Sequence, residues 1–148
     1  MNRRAYSHFC DDVRAEVGNK FSLMGIYGGE LFVQGAPTVL PKLVIAMFFS
    51  TPPDEPFNKL KFVVRAGDQT MVEHEMPPQE IEKIVSGLKR LPDANDPITG
   101  LTIGVTLFVS PFIVDKPMTI KATAICDGEE LPAGRLYVKL LDAVNVIA

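Results

Sequence analysis

The sequence has no tryptophan, only two histidines and two cysteines, and no block of basic residues. Structural zinc sites need cysteine and histidine at short spacings such as CxxC or HxxxH, and neither spacing occurs, so we do not expect a zinc site. The 15 basic and 18 acidic residues are interspersed and give a net charge of -3. Because nucleic-acid binding depends on clustered Lys and Arg, we expect no nucleic-acid partner.

Long apolar segments are also missing. The longest apolar stretch, Ile98 to Val114, is interrupted by glycine, threonine, serine and proline. It falls short of the ~20 apolar residues that a membrane helix needs, so we interpret it as a buried strand and expect no membrane partner. The segment from Tyr6 to Asp12 provides no apolar core for a secretory signal. We therefore expect a cytoplasmic location.

The motifs that hold phosphates or activate nucleophiles are absent as well. The sequence contains no GxGxxG before a helix, no GxxxxGK[ST] and no GxSxG, so it predicts no cofactor and no enzyme of those classes. Cys10 and Cys126 lie near opposite ends of the chain, and a disulfide between them would require neighbouring strands. The reducing cytoplasm favours two buried, unpaired thiols instead.

What the sequence does contain is period-two alternation of apolar and polar residues. Leu60, Phe62 and Val64 alternate with lysine and arginine, which is typical of a strand with one wet face. Leu43 to Phe49 is apolar at every position and predicts a central strand. The predicted strands are Ala5–Asp11, Phe21–Tyr27, Glu30–Val33, Leu43–Phe49, Asn58–Arg65, Thr70–Met76, Leu101–Ser110, Met118–Cys126 and Arg135–Leu141.

These strands predict a mainly β fold over residues 1–148, in a single domain. Eight or nine strands at this spacing favour an antiparallel β-sandwich of the immunoglobulin-like or C2-like kind, and a small barrel is the alternative. One short helix is predicted near residues 78–90. Ile81, Ile84, Val85 and Leu88 form its apolar stripe, and Lys89, Arg90 and Pro92 close it.

The densest polar cluster lies between the first two predicted strands, from Asp11 to Lys20. Oxygens of Asp11, Asp12, Glu16 and Asn19 could bind Ca²⁺, as loops at one end of C2-like domains do. The alternative is a turn with two ion pairs, Asp12 with Arg14 and Glu16 with Lys20. The spacing matches no known calcium loop.

The segment Asp93-Ala94-Asn95-Asp96 could also provide oxygen ligands for a cation, but turn formation before Pro97 explains these residues better.

Two further groups have chemical interest. His8 and Cys10 stand two apart on a predicted strand and so share a face, which would allow an activated thiolate if an orienting acid were present. Tyr137 is predicted to point outward between Arg135 and Lys139, and this face is a candidate contact surface. The mean hydropathy of +0.15 also favours self-association.

Three segments carry a resemblance to a known family. They are FCDDVRAEVGNKFSLMGIY at Phe9 to Tyr27, LPKL at Leu40 to Leu43 and TPPDEPF at Thr51 to Phe57. Together they resemble an uncharacterised bacterial family of small β-rich proteins that carries a domain-of-unknown-function label. The resemblance implies a bacterial, cytoplasmic or prophage-encoded setting and brings no catalytic residue or cofactor with it. It singles out the polar cluster for mutation: Asp11, Asp12, Arg14, Glu16, Gly18, Asn19 and Lys20.

The function expected from the sequence is a non-enzymatic interaction or structural β-sandwich. It would bind protein, either another copy of itself or the other subunits of a bacterial or prophage assembly. The alternative is a metal- or ligand-binding module that uses the Asp11–Lys20 connection. An enzyme built on His8, Cys10 and a neighbouring aspartate is a third hypothesis.

Overall fold

The computed structural model describes residues 2–88 and 100–141. Over these residues the chain forms eleven strands and one helix, which confirms the mainly β prediction. The strands are β1 (Arg4–Glu16), β2 (Lys20–Ile26), β3 (Glu30–Val33), β4 (Thr38–Leu40), β5 (Leu43–Thr51), β6 (Leu60–Ala66), β7 (Gln69–Glu75), β8 (Leu101–Val109), β9 (Phe112–Val114), β10 (Met118–Cys126) and β11 (Glu129–Leu140). The helix α1 is Pro78–Leu88.

The strands form three sheets. A four-stranded sheet has the order β2-β1-β5-β8, a five-stranded sheet has the order β3-β11-β10-β6-β7, and β4 pairs with β9. All pairs are antiparallel except β3 with β11, so the prediction of a wholly antiparallel arrangement is wrong at this edge. The turn at Tyr27-Gly28-Gly29 takes the chain from one sheet to the other, so β3 is not the hairpin partner of β2.

Both larger sheets contribute side chains to one hydrophobic core. The prediction that Leu43 to Phe49 forms a central strand is confirmed, because β5 lies between β1 and β8 and is buried on both faces. The sheets approach closely where the Ser7 hydroxyl donates to the Ala133 carbonyl at 2.6 Å. A Cβ on Gly134 would lie 3.0 Å from the Ser7 oxygen, so glycine suits this contact.

The polar segment from Asp11 to Lys20 is not a loop, contrary to the prediction. β1 continues to Glu16, β2 begins at Lys20, and only residues 17–19 form the turn. Gly18 and Asn19 have φ angles of 89° and 59°, which confirms the predicted turn residues. β1 pairs with β5 as far as Cys10 and continues beyond it with β2 alone. The charged side chains of this part of β1 remain in solvent. It therefore forms a strand although its sequence does not alternate between apolar and polar residues.

The prediction of eight or nine strands is too low because β4 and β9 have only three residues each. Leu40 opposite Phe112 continues the register of Leu43 opposite Val109, so this pair extends the β5–β8 ladder past a break. β11 also begins at Glu129 rather than Arg135. Pro132 and Gly134 within it resemble a turn in the sequence, and the register shifts beside them in the pairing with β10.

The predicted helix is confirmed over Pro78–Leu88. Ile81, Ile84 and Val85 contact the core, as their spacing indicates. Lys89, Arg90 and Pro92, which were expected to end the helix, lie outside the described residues. Within the described part of the chain, no helix has the length and apolar character to cross a membrane.

The core predicts a contrast between two Phe→Ala substitutions. Phe49 is fully buried on β5 and packs edge-to-face against Phe57, with ring centroids 5.4 Å apart. Phe49→Ala should lower the free energy of unfolding by about 3–5 kcal/mol, because it leaves a cavity in the core. Phe32→Ala is the matched control, since Phe32 is half exposed on β3, and it should cost less than about 1 kcal/mol. Urea denaturation measures both, and equal losses would contradict the assigned core.

Candidate functional site: the outer face of the four-stranded sheet

The four-stranded sheet turns one side to the core and the other side away from it. Phe9, Ile45 and Leu107 lie on the core side, so their sequence neighbours point outward. Opposed residues of an antiparallel pair share a face, and the strand register arranges the outward residues in three cross-strand rows. The rows are Ile26-Cys10-Val44-Phe108, then His8-Ala46-Thr106, then Tyr6-Phe48-Gly104. We call these ten positions the outer face.

The outer face has no charged Asp, Glu, Lys or Arg side chain. Tyr6, Ile26 and Phe108 expose 45%, 54% and 47% of their surfaces, while Val44 and Ala46 between them are buried. Exposed apolar residues scattered singly are ordinary on a protein surface, but contiguous patches of them mark interaction sites. The rows make this patch contiguous across all four strands.

An aromatic cluster forms one end of the outer face. The Tyr6 ring stacks on Phe48 with centroids 4.9 Å apart and an angle of 17°, and His8 lies edge-on to both rings at 6.2 and 6.3 Å. A Cβ on Gly104 would lie 3.0 Å from two carbons of the Phe48 ring, so this glycine lets the ring lie across β8. The cluster is held on strands rather than loops, which gives it a defined shape.

The opposite side of the molecule has a different chemistry. Outward residues of the five-stranded sheet form three ion pairs, which are Lys61–Glu73 at 3.2 Å, Arg65–Glu130 at 3.8 Å and Lys139–Glu30 at 2.8 Å. The predicted outward orientation of Tyr137 is confirmed, and Arg135 Nη1 lies 3.4 Å from its hydroxyl oxygen. The role of Arg135, Tyr137 and Lys139 as a contact surface stays a prediction.

Three of the four candidate calcium ligands, Asp11, Asp12 and Glu16, contact other protein side chains. The Tyr27 hydroxyl donates to Asp11. Lys42 Nζ lies 2.6 Å from Asp12 Oδ1 and lowers the pKa of that carboxyl group. Burial, together with the hydrogen bond to Asp11, raises the pKa of Tyr27.

Glu16 accepts hydrogen bonds from Arg14 at 2.8 Å and from Ser22 at 3.1 Å. The predicted ion pairs of Asp12 with Arg14 and of Glu16 with Lys20 are therefore wrong. Residues two apart on a strand share a face, which brings Arg14 to Glu16. Asp12 instead meets Lys42, which directly precedes β5.

The candidate ligands do not converge on one point. Asp11 lies on one face of β1 and Asp12 and Glu16 lie on the other, because successive residues of a strand point to opposite sides. Asn19 is in the turn beyond them. Among residues 2–88 and 100–141, no three Asp, Glu, His or Cys side chains are grouped so that they could hold a metal ion. The segment from Asp93 to Asp96 lies outside the described residues.

The two cysteines are buried and unpaired, as predicted. Cys10 is fully buried in the outer face, and its Sγ lies 3.6 Å from the Asp12 carbonyl oxygen. Burial and the neighbouring Asp11 raise the pKa of the Cys10 thiol, and burial raises that of Cys126. These environments favour the thiol over the nucleophilic thiolate.

Sequence reasoning missed the outer face as a site. The signal was the lack of Asp, Glu, Lys and Arg at every second position of three strands. Tyr6 and His8 on β1 and Phe48 on β5 are examples. Their grouping depends on which strands are neighbours and in what register. Neither property can be read from one strand alone.

The chain is a mainly β protein whose two larger sheets contribute to one hydrophobic core, and the outer face of one sheet has no Asp, Glu, Lys or Arg. The chain belongs to a family of unknown function, DUF6941, whose model matches residues 5–139. The resemblance to a domain-of-unknown-function family is thereby confirmed. No curated protein matches the chain.

The contact between Asp11 and Gly25 predicts that the effects of Gly25→Ala and Asp11→Ala on the free energy of unfolding are coupled. Gly25 has a φ of 68°, and a Cβ there would overlap the Asp11 carboxylate. Gly18 has a φ of 89° with open space around it, so Gly18→Ala should cost about 1 kcal/mol of unfolding free energy for its backbone conformation alone. Gly25→Ala should cost at least about 1 kcal/mol more, because the side chain of Asp11 must move.

The excess cost of Gly25→Ala should become smaller when Asp11 is already alanine, because the carboxylate is then gone and only the Cβ of residue 11, at 3.1 Å, stays close to the new side chain. A double-mutant cycle measured by chemical denaturation checks this. Equal costs of Gly25→Ala in the two backgrounds would show that the Asp11 contact does not restrict Gly25.

The burial of both thiols predicts how they react. At neutral pH the native protein should be modified slowly by Ellman's reagent, because Cys10 and Cys126 are fully buried and their pKa values are raised. Both thiols should react at once in denaturant. Rapid modification of Cys10 in the native protein would contradict this environment and favour the enzyme hypothesis.

Proposed function

We propose that this protein is a non-enzymatic interaction module that binds protein through the outer face. The observation that carries the proposal is the absence of Asp, Glu, Lys and Arg from ten contiguous positions that expose Tyr6, Ile26 and Phe108. Centres of protein interfaces are enriched in aromatic side chains and depleted of Lys, Glu and Asp. Solvated sheet faces usually carry charged residues, as the five-stranded sheet does here.

The size of the outer face fits the centre of an interface. Four strands about 4.8 Å apart and three rows spanning about 17 Å give a projected area of about 300 Å². Functional apolar patches on monomers begin near that size, whereas a standard interface buries about 800 Å² on each partner. The outer face would therefore form the apolar centre of a larger contact, with Arg4 beyond one end and the charged residues of β1 and β2 beyond the other.

The finer fold assignment is part of the same proposal. Two sheets that share one core support a β-sandwich of the immunoglobulin-like or C2-like kind, in which one sheet presents the binding face. We place it in the cytoplasm, with protein as its partner, as a self-associating protein or as a subunit of a bacterial or prophage assembly. The two buried thiols agree with a reducing compartment.

Two tyrosines provide a matched test of the binding face. Tyr6 lies on the outer face and Tyr137 on the opposite sheet, and their exposed fractions are similar at 45% and 40%. We would replace each with the photo-crosslinking amino acid p-benzoylphenylalanine in cells that express the protein naturally. Irradiation should give discrete protein adducts from position 6 and few from position 137.

The outcomes separate the two surfaces. Adducts from position 137 alone would move the binding site to the surface of Arg135, Tyr137 and Lys139. An absence of protein adducts from both positions would overturn the interaction function. The substitution Phe108→Lys should reduce the adducts from position 6, because it places a charge in the apolar patch without changing the crosslinker.

A further inference from the structure

Among the strands of residues 2–88 and 100–141, β8 is an edge strand of the four-stranded sheet. It pairs with β5 along its whole length, from Leu101 to Val109, and no other described strand pairs with its opposite side. Every second residue of an antiparallel edge strand directs its N–H and C=O away from its one partner. β8 therefore presents a row of backbone donors and acceptors that a further strand could satisfy.

The composition of β8 leaves this edge unprotected. Proteins protect sheet edges with charged residues, proline, bulges or short strands. β8 is LTIGVTLFV, nine residues with neither charge nor proline, and its register with β5 contains no shift.

The other described edges of the two larger sheets carry such protection. β7 contains Glu73 and Glu75 and has a register shift against β6. β3 has four residues, and β2 carries Lys20 and the positive φ of Gly25.

We propose that β8 pairs antiparallel with β8 of a second copy of this chain, about a two-fold axis at Val105. The pairing would join two four-stranded sheets into one sheet of eight strands. This inference rests on the proposed interaction function and specifies one partner. Two features favour a second copy over a strand of another protein as the partner of β8. They are the symmetric match of the β8 side chains and the continuity of the outer face across the two copies.

Symmetric pairing places compatible side chains opposite one another. Val105 is the central residue of β8, so it would meet its own counterpart. On the core side Ile103 would face Leu107 of the second copy, and Leu101 would face Val109. On the outer side the pairs would be Thr102 with Phe108 and Gly104 with Thr106. Because β8 has no charge, no like charges oppose each other, which is the usual penalty for pairing identical strands.

The pairing also extends the proposed binding surface. Phe108, Thr106 and Gly104 form the β8 side of the outer face, so two paired copies would place their outer faces side by side. The projected area of the outer face would double from about 300 Å² to about 600 Å² on one continuous sheet. The Asp, Glu, Lys and Arg side chains of each copy lie outside these rows. Salt screens the repulsion between such charges in the two copies at distances beyond about 8 Å.

Sedimentation equilibrium of the native protein tests the stoichiometry. We expect a species of twice the chain mass of 16.3 kDa at micromolar concentration. A monomer at every concentration would overturn the proposal. That result would follow if another segment of the same chain covered β8.

Two cysteine variants test the register. Val105→Cys would place two thiols directly opposite each other, with Cβ atoms about 4.5–5.5 Å apart, so a small approach of the strands reaches the disulfide distance and mild oxidation should link the copies. Thr102→Cys is the matched control, because its two copies would lie about 20 Å apart along the paired strands, too far for a disulfide. The native cysteines do not interfere, since both are buried.

A dimer that is linked through Val105→Cys and not through Thr102→Cys supports the proposal. A dimer linked by neither variant, or equally by both, would place the interface elsewhere and overturn it. Failure here is separable from failure of the proposed function. A monomer that still gives adducts from position 6 retains the interaction function, whereas a β8-paired dimer without adducts from position 6 loses the outer face as a binding site.

Discussion

The structure depends on the position of β5 between β1 and β8. This strand has one face in the core, where Phe49 packs against Phe57, and its other face is also buried where Val44 and Ala46 lie. Its two partners lie on either side of it in the sequence, so the backbone hydrogen bonds of β5 hold together segments about 40 residues before it and about 60 residues after it. A strand that is apolar on both faces requires a central place, because an edge would leave one row of its backbone groups unpaired.

The same arrangement produces the difference between the two sides of the molecule. Within the outer face, the side chains of β1, β5 and β8 include no Asp, Glu, Lys or Arg, and the sheet register gathers them into one surface with Tyr6 stacked on Phe48. The five-stranded sheet instead places ion pairs such as Lys61–Glu73 on its outward side. Surface ion pairs contribute little to stability, and their main effect is to keep that side solvated. The uncharged side is the one that can give up its water to another protein at low cost.

Long alternating segments were predictable, and short or irregular ones were not. The β6–β7 hairpin around Gly67 and the helix at Pro78–Leu88 lie where their patterns place them. β4 and β9 escaped prediction because three residues carry no measurable period, and Pro132 concealed the start of β11. The charged segment after Asp11 looked like a loop, since its strand pairs only with β2 and needs no buried face. The candidate ligands there separated for the same reason, because a strand sends neighbouring residues to opposite sides.

By itself, the sequence determined the β class, most strand positions, the helix and the burial of β5. These are local properties, since the period of the apolar residues and the composition of a short segment decide them. Only the tertiary structure decided that β3 lies parallel to β11, that Asp12 meets Lys42, and that Tyr6, Phe48 and Phe108 share one surface. Backbone hydrogen bonds are the same for every residue type, so strand partners are selected by the packing of the whole core.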